Sequence, residues 1–181
     1  MKRLQARKTP GFVRVVNLTG GPLPVMDRGR PMVSSIPPAE SSRLVPLGVG
    51  KQSLQLGSGT KVEVDLKSGV GTTIVIYPGN KTELFPGDFR RPDAGGNVRV
   101  VFGKDANFTP RLTGAKTLTL ERSDKTLELP PGDYQCGDQL VKIEPNCAYT
   151  FLFVNHKGRP HTFLLTNTPR EKPGASATGA N

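Results

Sequence analysis

Four fragments recur in the same order in the two halves of this 181-residue chain, and that repeat limits the fold more than any other feature. VRVVN at 13–17 returns as VRVVF at 98–102, 85 positions later, and LVPLG at 44–48 returns as ELPPG at 128–132, 84 later. Val64 and Leu66 return as Val141 and Ile143, and TIVI at 73–76 returns as TFLF at 150–153, both 77 later. The offset falls from 85 to 77, so the second unit is eight residues shorter in its middle, as loop shortening would make it. A period this long is that of a domain, since solenoid repeats run about 20–50 residues.

Each unit is written in strands. Apolar and polar residues alternate at period two over 12–17, 42–47, 51–56, 61–67 and 72–77, the mark of half-buried strands. The cleanest places Val62, Val64 and Leu66 on one face and charges on the other. The stretch 72–77 is denser in β-branched residues and reads as a strand buried on both faces. Gly20–Pro22, Gly48, Gly57–Gly59 and Ser68–Gly69 separate the strands as turns. No window holds a helical apolar period, and Gly 21 and Pro 17 work against one; 39–43 has room for a single turn. The spacing predicts an all-β chain of two tandem antiparallel β-sandwich domains, Ig-like or Greek-key, with five to seven strands each. The expected order is a basic arm at 1–11, domain one at 12–80, a linker at 81–96, domain two at 97–168 and a disordered tail at 169–181. Units this small have marginal cores, so docking on each other or on a partner would stabilise both.

Lys and Arg number 25 against 15 Asp and Glu, a net charge of +10, which points to acidic partners. Binders of single-stranded nucleic acid interleave cations with exposed aromatics. Aromatics here are 6%, and Phe102, Phe151 and Phe153 fall at inward strand positions, so nucleic acid is disfavoured. The candidate patch for a polyanion or partner is Arg90, Arg91, His156, Lys157, Arg159 and His161. No catalytic constellation is expected: Asp138 and Glu144 lie near no nucleophile motif, and Glu40, Asp65 and Asp88 are scattered. Gly48–Gly50 and Gly57–Gly59 join strands and open no helix, so they are turns and not phosphate loops. Two Cys and two His are too few for most metal sites of nitrogen and sulfur, and neither metal nor cofactor is expected. Asn17, Asn80 and Asn107 each open a glycosylation triplet, relevant only in a eukaryotic secretory pathway.

No apolar run is long enough to span a bilayer. The basic start, with four positive charges in its first eight residues, leads into no apolar core of the kind a secretory leader needs. The chain is therefore either cytoplasmic or numbered from a form whose leader has been removed. By spacing alone, Cys136 and Cys147 suit a disulfide and a pair of free thiols equally.

The segment 128–155, ELPPGDYQCGDQLVKIEPNCAYTFLFVN, resembles the AlgF-type accessory proteins of bacterial alginate O-acetylation. The shared pattern is a PPG-x-Y turn, a short strand, a Pro-x-x-x-Tyr-Thr corner and an apolar strand; FVRVVNLT at 12–19 is similar to the strand that opens such domains. The resemblance implies tandem β-sandwiches and a non-enzymatic adaptor, periplasmic or secreted. Such an adaptor would hold envelope acetylation proteins or an acidic polysaccharide. Export in turn implies a Cys136–Cys147 bond. The same residues also serve as framework, since Pro130–Gly132 enforces a turn and Tyr149 suits a tyrosine corner. The competing class is a structural coat or surface-assembly protein that uses strand edges and basic arms, with a basic nucleic-acid binder behind it.

Overall fold

The computed structural model describes residues 9–88, 96–114, 116–122 and 126–167. The first unit runs β1 (Gly11–Asn17), β2 (Leu23–Asp27), β3 (Arg30–Ile36), β4 (Glu40–Ser41), β5 (Val45–Leu47), β6 (Gly50–Leu56), β7 (Thr60–Leu66), β8 (Val70–Ile76) and β9 (Thr82–Asp88). The second runs β10 (Gly96–Phe102), β11 (Arg111–Thr113), β12 (Thr117–Thr119), β13 (Thr126–Leu129), β14 (Gly132–Cys136), β15 (Gln139–Ile143), β16 (Ala148–His156) and β17 (Arg159–Thr166). The protein is all-β, as its patterning requires, and each unit is a two-sheet sandwich.

The two units share one topology. Their inner sheets are β4-β1-β8-β9, with β5 also on β1, and β13-β10-β16-β17; their outer sheets are β3-β2-β6-β7 and β12-β11-β14-β15. In both, the first strand pairs in parallel with the penultimate one, Val13 opposite Thr72 and Val98 opposite Tyr149, at offsets of 85 and 77. Leu47 faces Gly11 and Leu129 faces Gly96, so these leucines are the true counterparts and the expected 84-residue match slips by two. Most of the shortening lies in one hairpin: sixteen positions separate the paired Gly50 and Leu66, eleven separate Gly132 and Ile143.

Three apolar cores follow from this stacking. The first, between the sheets of unit one, holds Val13, Val15, Leu54, Val64, Ile74 and Ile76. The second, between the sheets of unit two, holds Val98, Leu112, Tyr134, Ile143, Phe151 and Phe153. The third lies between the two inner sheets and holds Val16, Leu18 and Val75 against Val101, Leu152, Val154, Phe163 and Leu165. The strand at 72–77 is buried on both faces for this reason: Ile74 and Ile76 enter the first core and Val75 the third.

Several expectations are corrected. Residues 82–88, read as linker, form β9, paired with β8 along its whole length. Pro86 and Gly87 read as a turn, but an edge strand tolerates a proline. β2, β3, β11 and β12 lack clean alternation, and with them the units hold nine and eight strands among the described residues. Cys136 and Cys147 are free thiols. Cys136 pairs with Gln139 at one end of β15, while Cys147 lies beyond Ile143 at the other. Four strand steps of about 3.3 Å separate these ends, far outside the roughly 4.4–6.8 Å between Cα atoms that a disulfide spans. Asn17 is fully buried, its amide donating to the Gly21 and Ile36 carbonyls, so its triplet is an internal tie and no glycan site. The arm through residue 8, Arg90, Arg91 and the tail at 169–181 lie outside the described residues.

Candidate functional site

Four of the six candidate patch residues come together on the β16–β17 hairpin. His156 pairs with Arg159 across a two-residue turn of Lys157 and Gly158, both with positive φ (51° and 74°). This is a type I′ turn, whose twist matches that of the strands it joins. His161 pairs with Val154, so it continues the face that carries Phe163 and Leu165 into the core between the units. Its ring lies 4.7 Å from Phe163 and 6.1 Å from His156, centroid to centroid. Burial first, and His156 second, lower the His161 pKa, so at neutral pH it adds no charge. The cationic part of the hairpin is thus the exposed Lys157 and Arg159.

The residues on which the family resemblance rests are structural. The Tyr134 hydroxyl donates to the Pro130 carbonyl at 2.8 Å and closes the turn at 130–132. A β-carbon at Gly114 would come within 2.4 Å of the Tyr134 ring, so only glycine admits that ring. The Tyr149 hydroxyl accepts the Glu144 N–H at 3.0 Å, the tyrosine corner expected from sequence. Burial pushes the Tyr149 pKa up, which keeps the phenol protonated.

Polar groups close the seam between the units at both ends. At one, Arg14 is 3% exposed and donates to Asn167 Oδ1 at 3.3 Å and to the Thr166 carbonyl, while Asn167 Nδ2 donates to Thr150 Oγ1 at 2.7 Å. Burial lowers the Arg14 pKa to about 10, so it stays charged at neutral pH. At the other, Glu83 Oε2 accepts the Tyr77 hydroxyl at 3.0 Å and the Lys104 N–H at 3.1 Å. Tyr77 is held protonated by burial and by Glu83, and its hydroxyl sits where a β-carbon on Gly103 would lie 2.6 Å away.

Beside the seam opens a cleft of ≈ 330 Å³ lined by Asn97, Arg99, Thr126, Ala148 and Tyr149 of the second unit and by Pro86 and Gly87 of the first. In the sequence VRVV marks the repeat, and its arginine carries no charge partner in the local pattern. Arg14 and Arg99 occupy the same position of that repeat, on the face opposite the in-facing valines, and this was the available sign that both meet something other than water. Among the described residues, no group of three His, Cys, Asp or Glu could hold a metal, and no helix is long and apolar enough to cross a membrane.

No family model and no curated protein matches the chain. Among solved structures, it is similar to the N-terminal domain of AlgF from P. aeruginosa, with 27% identity and a TM-score of 0.40 over 46% of this chain and 99% of that one.

Proposed function

We propose that this chain is a non-enzymatic adaptor of bacterial exopolysaccharide modification, an accessory of alginate-type O-acetylation that works in the periplasm and holds acetylation proteins or an acidic polysaccharide. The observation that carries this reading is the build of the second unit. The residues that resemble the accessory family, Pro130 to Gly132, Tyr134 and Tyr149, act together as its framework. Two sandwiches joined through a common core form a rigid support, and the Lys157–Arg159 turn adds positive charge for an acidic surface. Affinity capture from an envelope extract tests this: acetylation proteins or acidic polysaccharide should be retained. Retention of neither, or esterase or acetyltransferase activity in the isolated protein, would overturn the reading.

A further inference from the structure

The two sandwiches are built alike, yet one end of the first lacks groups that close the same end of the second. Gly50 stands opposite Leu66 and Gly132 opposite Ile143, and Leu66 and Ile143 are a repeat pair, so Gln52 is the counterpart of Tyr134 and Leu54 that of Cys136. Gln52 and Tyr134 make the same tie, each donating to the carbonyl four residues back, Gly48 at 3.1 Å and Pro130 at 2.8 Å. Tyr134 also brings a ring, which packs under Gly114 just beyond β11; Gln52 brings none. Asp27 faces Leu54 and Leu112 faces Cys136, so a carboxylate holds the place of Leu112, which is fully buried in the second core. Leu47 is half-buried where its counterpart Leu129 is 3% exposed. At this end of the first unit opens a pocket of ≈ 620 Å³, with Met32, Val45 and Leu47 as its apolar wall and Asp27 and the exposed Arg28 and Arg30 as its polar groups.

We propose that this pocket takes a tyrosine side chain presented by an acidic segment of a partner protein. Asp27 Oδ1 is shut away from water and accepts no hydrogen bond, and Arg28 Nε approaches it only to 3.9 Å. An acceptor left so is costly, and a phenol hydroxyl supplies the donor once the carboxylate turns about its Cβ–Cγ bond. The incoming ring stands in for the one that Tyr134 brings to the second unit and lies against Met32, Val45 and Leu47. Arg28 and Arg30 then meet carboxylates on either side of the tyrosine. Pro31 on β3 and Pro46 on β5 lack the N–H that an added strand needs at these two edges, so the partner enters by its side chains and not by extending a sheet. The chain's own ends do not fit, since residues 1–8 and 168–181 contain no aromatic, and a net charge of +10 opposes a second copy. The pocket uses no residue of the Lys157–Arg159 turn, and a chain that captures no acetylation protein would still bind such a segment through it.

The test titrates the full ¹⁵N-labelled chain with a blocked peptide of one tyrosine flanked by glutamates, following amide shifts at Asp27, Met32 and Leu47. The shifts should saturate. Phenylalanine in place of the tyrosine should weaken binding about tenfold, the worth of a hydrogen bond to a charged group, and alanine should weaken it further. Lysines in place of the glutamates should abolish it, and N-acetyltyrosine amide alone should bind about tenfold more weakly than the peptide, since it brings no carboxylate to the arginines. Arg30→Glu changes an exposed side chain, so it should fold and lose about tenfold in affinity. Asp27→Leu installs the residue of the other unit, so it should fold and bind the tyrosine and phenylalanine peptides equally. Unmoved amides, equal affinity of the native chain for the phenylalanine or alanine peptide, undiminished binding by Arg30→Glu, or a tyrosine preference that survives Asp27→Leu would overturn the assignment. So would N-acetyltyrosine amide binding as tightly as the peptide, which would mean a free small molecule, or the same shifts on concentrating the protein alone, which would mean a second copy.

Discussion

Gly11 and Gly96 hold the same place in the two units, and each is pressed by the strand that crosses above it. A β-carbon at Gly11 would lie 2.7 Å from Leu66 Cβ, and one at Gly96 would lie 2.3 Å from Ile143 Cγ2. Leu66 and Ile143 are themselves a repeat pair, so the units keep one close approach between inner and outer sheet. Overpacking of this kind costs about 2–3 kcal/mol, and Gly96→Ala should lower the urea midpoint accordingly; an unchanged midpoint would show that the sheets separate freely. The thiols give a second test at this scale. Cys136 is buried, which raises its pKa, and Cys147 is half-buried, so the native protein should react slowly with a thiol reagent, Cys147 first. Unfolded without reductant, the chain should titrate two thiols; none would contradict the separation of the pair along β15.

The β16–β17 hairpin combines turn strain with a titrating ring. Lys157 holds φ at 51°, a conformation that asparagine adopts at less cost. Lys157→Asn should therefore stabilise the protein by about 0.5 kcal/mol, read as a higher thermal midpoint. The same change removes one of the turn's cations, so it should also weaken capture of an acidic partner, and the opposite signs separate stability from binding. His161 sets a pH dependence. Its folded pKa is lowered, so as pH falls the unfolded chain takes up the proton first. The contribution is whole above about pH 6.5, the ordinary value for the unfolded imidazole, and is lost as pH drops through the folded value. Urea midpoints taken from about pH 7.5 down to about 5 should fall more steeply for the native chain than for His161→Gln. Parallel slopes would remove His161 from the account.

At the scale of the molecule, the third core decides how the units behave together. Each sandwich has a core of its own, so the segment 95–168 contains what it needs to form a β-sheet protein. Cut out, however, it would expose Val101, Leu152, Val154, Phe163 and Leu165 on one face and should self-associate. In the intact chain that face is buried against Val16, Leu18 and Val75, and unfolding should be one cooperative transition by calorimetry. Leu152→Asp places an unpaired charge there and leaves the other two cores untouched. It should split the transition in two; a single transition at lower temperature would mean that neither sandwich survives alone.

The alternation of Val62, Val64 and Leu66, the turns between strands and the recurrence of VRVV are local or self-comparing properties, and they determined the all-β class, the two units and the tyrosine corner. β9 escaped because Pro86 and Gly87 carry local turn preferences that pairing with β8 overrides. β2 and β3 escaped because their prolines and half-exposed residues leave no period to read. The spacing of Cys136 and Cys147 left bonded and free states open, since distance in space depends on which end of β15 each occupies. Arg14 sits in the same VRVV pattern as Arg99, and no local pattern foretells that it reaches Asn167 and the Thr166 carbonyl of the other unit. Period two specifies which face of a strand is apolar, but not which sheet will cover it; that was settled only when the two inner sheets met.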